Sequence, residues 1–219
     1  MSVKQYWVDI KNKLCYSLTN EISQYTNGVS KGVKMSRKEE IIEVCVEIID
    51  NDGFLNLSMK TIADRLGIKP PSLYKHFQGG LDEIKESIMV YGWNSIDIKI
   101  ARSAVGKSRE DALKAMCYAL RDFAHEHPGV FEAICWHNSY TSELNKEITK
   151  GVITSLYSIL DSLDFSDEEK MHTLRSLRGF VEGYAMLELH GSFGDKISLD
   201  ESFAFGVDAM IAGIMKGVK

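Results

Sequence analysis

Proline is scarce in this chain: three residues in 219, two of them adjacent at Pro70-Pro71. With so few obligatory breaks, long helices are permitted. Long apolar runs are also missing. Stretches such as Val44 to Ile49 are cut by charge well short of the roughly 20 residues a bilayer span needs. No charged start leads into an apolar core and a small-residue cleavage site, so a cytoplasmic protein with no membrane partner is expected. The four cysteines, Cys15, Cys45, Cys117 and Cys135, include no C-x-x-C pair and no spacing that preforms a metal site. Buried, unreactive thiols are the expectation, with no metal and no cofactor. A glycine-rich phosphate loop and an H-E-x-x-H helix are both missing, which argues against an enzyme.

One charge sign is in short supply, but unevenly. The net charge of −5 disfavours nucleic acid as an average, yet averages hide segregation. Residues 81–219 carry fifteen Lys/Arg against twenty-two acids, whereas Ser58 to Gly80 holds Lys60, Arg65, Lys69 and Lys75 against Asp64 alone. The second stretch is therefore the one candidate for facing DNA.

What is present is helical periodicity. Residues 1–34 have a short amphipathic start and then a polar run broken by Asn27-Gly28 and Lys31-Gly32, and are expected to be a poorly ordered leader. Lys31-Gly32-Val33 can be encoded by a ribosome-binding sequence just ahead of Met35. Translation from Met35 is therefore an expectation, which an intact Met1 or Ser2 in the mass spectrum of the native protein would sink. From Met35 the pattern changes: Ile41, Ile42, Cys45, Ile48 and Ile49 recur on one face, and Asn51-Asp52-Gly53 ends the helix. Ser58 is an N-cap for a second helix to Leu66, Gly67 stops it, and Pro70-Pro71 start a third, expected over about Pro71 to Phe77 with Leu73 and Phe77 inward. Helices follow at about Leu81–Ala101, Ser108–Glu126, Pro128–His137, Ser142–Leu163, Asp167–Gly191 and Leu199–Lys216, with no strand-period run between them. The fold class is all-α: a three-helix helix-turn-helix head (35–80) and a helical body (81–219).

Two short helices joined by a tight glycine turn and preceded by a longer helix form a helix-turn-helix, whose second helix fits the major groove. The segment "TIADRLGIKPPSLYKHF" resembles the DNA-binding heads of the TetR family, the likeness running from Ser36 to about Ile84. Further on, "LRSLRGFVEGYAMLELHGSFG" (Leu174 to Gly194) followed by "LDESFAFGVDAMIAGI" looks like the last two helices of the TetR subgroup named for a Trp-His-Gly signature, although Arg178-Gly179 stands where its His-Gly falls. The resemblance implies a sequence-specific DNA-binding regulator, a repressor released by a small-molecule effector, acting as a homodimer on double-stranded operator DNA. It assigns DNA contact to Lys60, Lys69, Pro70, Pro71, Ser72, Tyr74, Lys75 and His76. Many members carry Lys just after the recognition helix, where this chain has Gly79-Gly80. That substitution is the support for a competing reading: an all-α homodimer that binds a ligand or partner without specific DNA recognition.

In the body, aromatic and methionine residues on helices are candidates to line an apolar effector pocket, namely Trp93, Met116, Trp136, Tyr157, Phe180 and Tyr184. His125-Glu126-His127 is tempting as a metal cluster, but neighbours on a helix point in different directions and Pro128 follows, so a solvated helix end is expected. Leu174, Leu177, Val181, Tyr184, Leu187 and Leu189 on one helix, and Phe203, Val207, Met210, Ile211 and Ile214 on the last, are expected to need cover from a second chain.

Overall fold

A computed structural model describes residues 35–137, 143–194 and 196–217, and these contain nine α-helices and one 3-10 turn. The expected leader and the expected start at Met35 concern residues 1–34, which lie outside the described residues. Residues 41–219 form one compact unit.

The head is made by its punctuation. Helix α1 (Arg37–Asp52) buries Ile41, Ile42, Cys45, Val46, Ile48 and Ile49 and stops at Gly53, whose φ of 85° favours glycine. A 3-10 turn, Phe54–Asn56, then carries the chain to Ser58. Ser58 caps α2 (Met59–Leu66): its hydroxyl accepts from the Thr61 N–H at 3.1 Å, and Thr61 Oγ1 accepts from the Ser58 N–H at 2.9 Å. This reciprocal box satisfies donors that every helix start leaves open. Gly67 ends α2 in the left-handed conformation at φ 65°, and Ile68 N–H returns to the Ala63 carbonyl at 3.0 Å. Ala63, fully buried, supplies the small side chain at this crossing.

Helix α3 is shorter than its sequence indicates, with regular helix over Pro70–Leu73 and turns from Tyr74 to His76. Pro70 and Pro71 bring no N–H of their own, and tighter i→i−3 rings follow: Ser72 N–H reaches the Lys69 carbonyl and His76 N–H that of Leu73, which also accepts from Phe77 N–H. The inward pair is nonetheless in place, with Leu73 and Phe77 buried.

The body follows as α4 (Gly80–Ala104), α5 (Arg109–Glu126), α6 (Pro128–His137), α7 (Glu143–Leu160), α8 (Asp167–Leu189) and α9 (Leu199–Gly217). Helix α4 packs along α5 and α7, and α5 in turn carries α8 and α9. One apolar cluster runs without a break from Ile41 on α1 through Ile88 and Trp93 on α4 to Ile211 on α9. Head and body therefore share a core.

That core corrects the expectation about the last two helices. Leu174, Leu177, Val181, Phe203, Val207 and Ile211 are all buried within this one chain, because α5 lies against both helices and covers them. Of the other residues expected to need cover, Tyr184, Leu189, Met210 and Ile214 are half-buried and Leu187 stays exposed (46%), as does Phe205 (77%), on the opposite faces. On those faces small residues recur: Ser176, Gly179 and Gly183 on α8, and Ala209, Ala212 and Gly213 on α9 are all exposed. Among the described residues, no helix is long and apolar enough to cross a membrane.

Candidate DNA-binding face and ligand cavity

With Leu73 and Phe77 anchored below, the short α3 turns its other residues outward. Pro71, Tyr74 and Lys75 are exposed and Pro70, Ser72 and His76 are half-buried, while Lys60 on α2 and Lys69 at the α3 N-cap are exposed as well. Arg65 reaches across to Asp52 at 3.4 Å. Lys60, Lys69 and Lys75 form no ion pair with any described residue. Three uncommitted ammonium groups thus flank one short helix, the arrangement a polyanion would neutralise.

The Gly79-Gly80 pair has a local reason. Gly80 sits at φ 65°, and the Tyr74 ring lies against it, so that an added Cβ would meet Tyr74 Cε1 at 3.2 Å. The preceding Gly79 donates its N–H to Glu83 Oε2 at 2.9 Å. The pair gives the half-exposed Tyr74 ring a seat. A Gly80→Lys variant is expected to lose about 1–2 kcal/mol from the left-handed strain alone and to displace Tyr74. Urea denaturation of the two proteins measures it, and a variant as stable as the parent would refute the seat.

Behind the head, α1 is also fastened to the body by polar contacts. The Asp50 carboxylate accepts from the N–H groups of Gly129 and Val130 at 2.8 and 3.0 Å, capping the start of α6, and lies 3.0 Å from His127 Nδ1. Next to it the backbones nearly touch, since a Cβ on Gly129 would fall 1.9 Å from the Ile49 carbonyl oxygen. Helix α6 also lies close to α4, here through side chains: a Cβ on Gly92 would fall 2.6 Å from Ile134 Cδ1 and 2.7 Å from Val130 Cγ1.

Between α4, α5, α7 and α8 lies a cavity of about 240 Å³. Trp93, Ile96 and Ile100 come from α4, Met116, Cys117 and Leu120 from α5, and Val152 and Leu156 from α7, while α8 adds Leu174, Leu177 and Val181. Of the aromatic and methionine candidates, Trp93 and Met116 line it. The other four lie elsewhere. Trp136 is 69% exposed on α6, and Tyr157 turns aside toward Lys170, whose ammonium stands 5.9 Å from its ring. Phe180 and Tyr184 belong to a cluster around Phe203, at 5.8 and 5.2 Å between ring centres, with the Tyr184 hydroxyl donating to the Leu199 carbonyl at 2.8 Å. They serve α8–α9 packing. Burial pushes the thiols of Cys45, Cys117 and Cys135 up to about 12, so that none is a thiolate near neutral pH.

The residues of the histidine pair separate as their adjacency demands, but into the protein and not only into solvent. His125 Nε2 stands 3.2 Å from Glu188, Glu126 accepts from Lys99 at 2.7 Å, and His127 meets Asp50. A polar knot that periodicity does not reveal lies nearby. Arg121 on α5 is buried, donates through Nε and a terminal nitrogen to both oxygens of Glu188 at 2.8 and 2.5 Å, pairs with Asp200 at 2.7 Å, and lies 4.6 Å from the centre of the Phe203 ring. It ties the end of α8 and the start of α9 to α5.

Comparison with known proteins agrees with this layout. Residues 41–79 match the family model described as bacterial regulatory proteins, tetR family, and residues 113–210 match that of the tetracyclin repressor-like C-terminal domain. An uncharacterized HTH-type transcriptional regulator of Mycobacterium tuberculosis, Rv0681, is 28% identical over 85% of this chain and 84% of its own length. Another from Bacillus subtilis, YobS, is 26% identical over 80% of this chain and 91% of its own. Among solved structures, a TetR variant from Acinetobacter baumannii in complex with minocycline superposes with a TM-score of 0.64 at 21% identity, over 85% of this chain and 99% of that one. At that identity the likeness is one of fold.

Proposed function

This chain belongs to the tetR family of bacterial regulatory proteins, and on that premise we propose that it grips operator DNA as a homodimer and releases it when a small molecule fills the α4–α8 cavity. It is a DNA-binding transcriptional regulator, and the observation that carries the reading is the outward set Lys60 on α2, Lys69 at the start of α3, and Tyr74 and Lys75 in the turns after it, a segment whose inner side is locked by Leu73 and Phe77. Phosphate contact comes from the lysines and the Tyr74 hydroxyl, and base contact from the residues of α3.

Support for the homodimer comes from the outer faces of α8 and α9. Small residues there let helices approach closely, and exposed Leu187 and Phe205 supply apolar area. A two-fold bundle of these helices sets two heads one turn of DNA apart, roughly 34–36 Å, for a palindromic site. The minocycline complex of the related fold supports a ligand in the body. Release follows if the ligand prefers the arrangement in which the heads do not fit the operator, and linkage then makes operator weaken ligand binding by the same factor, typically about 5- to 150-fold. The site of action is the cytoplasm, where the operator is. Assignment to the Trp-His-Gly subgroup rests on Leu174 to Gly194.

Fluorescence anisotropy against the upstream region of the protein's own gene, at two salt concentrations and with light scattering for the oligomer, tests the reading. Lys75→Ala is expected to lower the salt slope by about one unit if the contact is to phosphate, or to cost about 1–3 kcal/mol at one operator position if it is to a base. Tyr74→Phe removes only a hydroxyl and should weaken binding to all sequences alike. A monomer at micromolar concentration ends the dimer reading. Unchanged affinity in both variants ends the placement of the recognition face.

A further inference from the structure

The cavity specifies its ligand by where it is apolar and where it is charged. A dry apolar cavity of about 150 Å³ accommodates benzene. The 240 Å³ here therefore has room for an apolar body of about eight to ten carbons. Charge is confined to one border, where α8 brings Arg175, Arg178 and Glu182 to the wall at spacings of three and four residues, so that they share a side of the helix. Glu182 accepts from Arg178 Nε at 2.6 Å, which neutralises that acid and leaves the border with a net positive charge. Arg175 is exposed and forms no ion pair with any described residue.

A ligand cation finds no seat. Trp93 is the one aromatic side chain of the lining among the described residues, and the Arg178 guanidinium already lies 5.3 Å from its ring centre. Thr149 adds a hydroxyl to the wall that is buried and without a hydrogen-bond partner among the described residues, a cost that a ligand acceptor would remove.

We propose that the cavity takes a monocarboxylate with an apolar body of about eight to ten carbons, its carboxylate held at Arg175 and its tail among the aliphatic side chains. The proposal rests on the cavity being the ligand site, as read above. Straight-chain and aryl-alkyl acids share this chemistry.

Calorimetric titration of the full chain with decanoate, 4-phenylbutyrate, decanol and decylammonium tests it. At least one acid is expected to bind about tenfold or more tightly than the alcohol and the amine, a charge-assisted hydrogen bond being the difference. Arg175→Gln should remove about that factor for the acid and leave decanol unchanged. The tighter of the two acids identifies the tail. Decanol or decylammonium binding as well as the acids overturns the proposal, as does the absence of acid binding at millimolar concentration. A folded Val181→Phe protein, its cavity filled, that still binds the acid overturns the location, and the exposed Arg175→Gln change keeps the test open should that variant not fold. Operator release is measured separately by anisotropy. An acid that binds through Arg175 without displacing DNA supports the ligand class and ends the release reading.

Discussion

Gly129→Ala is expected to cost about 3 kcal/mol or more of stability and to abolish operator binding. The added methyl would lie 1.9 Å from the Ile49 carbonyl oxygen and 2.7 Å from the Asp50 nitrogen, both backbone atoms that no rotamer change can move aside. The two segments must separate, and the same movement pulls Asp50 off the N–H groups of Gly129 and Val130. Asp50→Ala isolates the second part of that loss. It keeps the close approach but strands two donors at the start of α6, at an expected cost of about 1–2 kcal/mol. Urea midpoints for the two variants, alongside anisotropy with operator DNA, give both quantities. A Gly129→Ala protein within about 0.5 kcal/mol of the parent would mean that head and body are not joined here.

Arg121→Met is the second large effect. It leaves the Glu188 side chain, 4% exposed, without its principal partner, and unpairing a buried charge typically costs about 3–5 kcal/mol. Because burial of an intact pair is itself expensive, Arg121→Met combined with Glu188→Met should recover much of the loss. The pH dependence has a definite sign. Burial alone raises the Glu188 carboxyl, but the hydrogen bond and charge of Arg121, with help from His125, outweigh it and hold the group below its ordinary value. A carboxyl lowered on folding contributes stability that is fully present above its unfolded value of about 4.3 and is lost as pH falls through the folded value. In Arg121→Met the carboxyl is raised instead, so protonation relieves the variant. The gap between parent and variant should therefore narrow as pH falls from 7 toward 4. Asp200 and Tyr184 face the same knot, and Asp200→Asn serves as the control for the exposed carboxylate. A gap that is constant with pH would show that Glu188 is not the group responsible.

The legibility of this fold in its sequence divides along a physical line. Local devices were readable because their signal lies within one turn of chain: the Ser58 cap, the Gly67 stop, the Pro70-Pro71 start, and the inward pair Leu73 and Phe77. Helix limits in the body fall within a few residues of their periodicity for the same reason. Residue type was a poor guide to which face of the body an aromatic serves. Trp136 is exposed, and Phe180 and Tyr184 pack with Phe203 instead of lining the cavity, since periodicity reports burial without saying against which neighbour. The apolar stripes of α8 and α9 misled in part: α5 covers Leu174, Leu177, Val181, Phe203, Val207 and Ile211, while Leu187 stays exposed. The Asp50–Gly129 fastening and the Arg121–Glu188 pair join positions 79 and 67 residues apart. No pattern in one sequence links such positions. The singular cue was a glycine directly after Pro128, inside a helix where its flexibility is otherwise a cost.

Helix α6 meets α4 at Gly92 and α1 at Gly129, and in mechanical terms the Gly129 joint is the stiffer of the two. Where side chains interdigitate, a neighbour's displacement of a few tenths of an ångström is absorbed by small torsional changes. At Gly129 the backbones are in direct contact with no side chain between them, and at Gly92 the α4 backbone bears on Val130 and Ile134 of α6. The Gly129 joint has little compliance, so a shift of α6 reaches α1 with little attenuation, whereas the Gly92 joint yields through torsions of Val130 and Ile134. A ten-residue helix has neither the length nor an internal proline to bend and dissipate the shift. The head's setting is therefore geared to the position of α6, and at Gly129 glycine, usually the residue of slack, is what removes the slack.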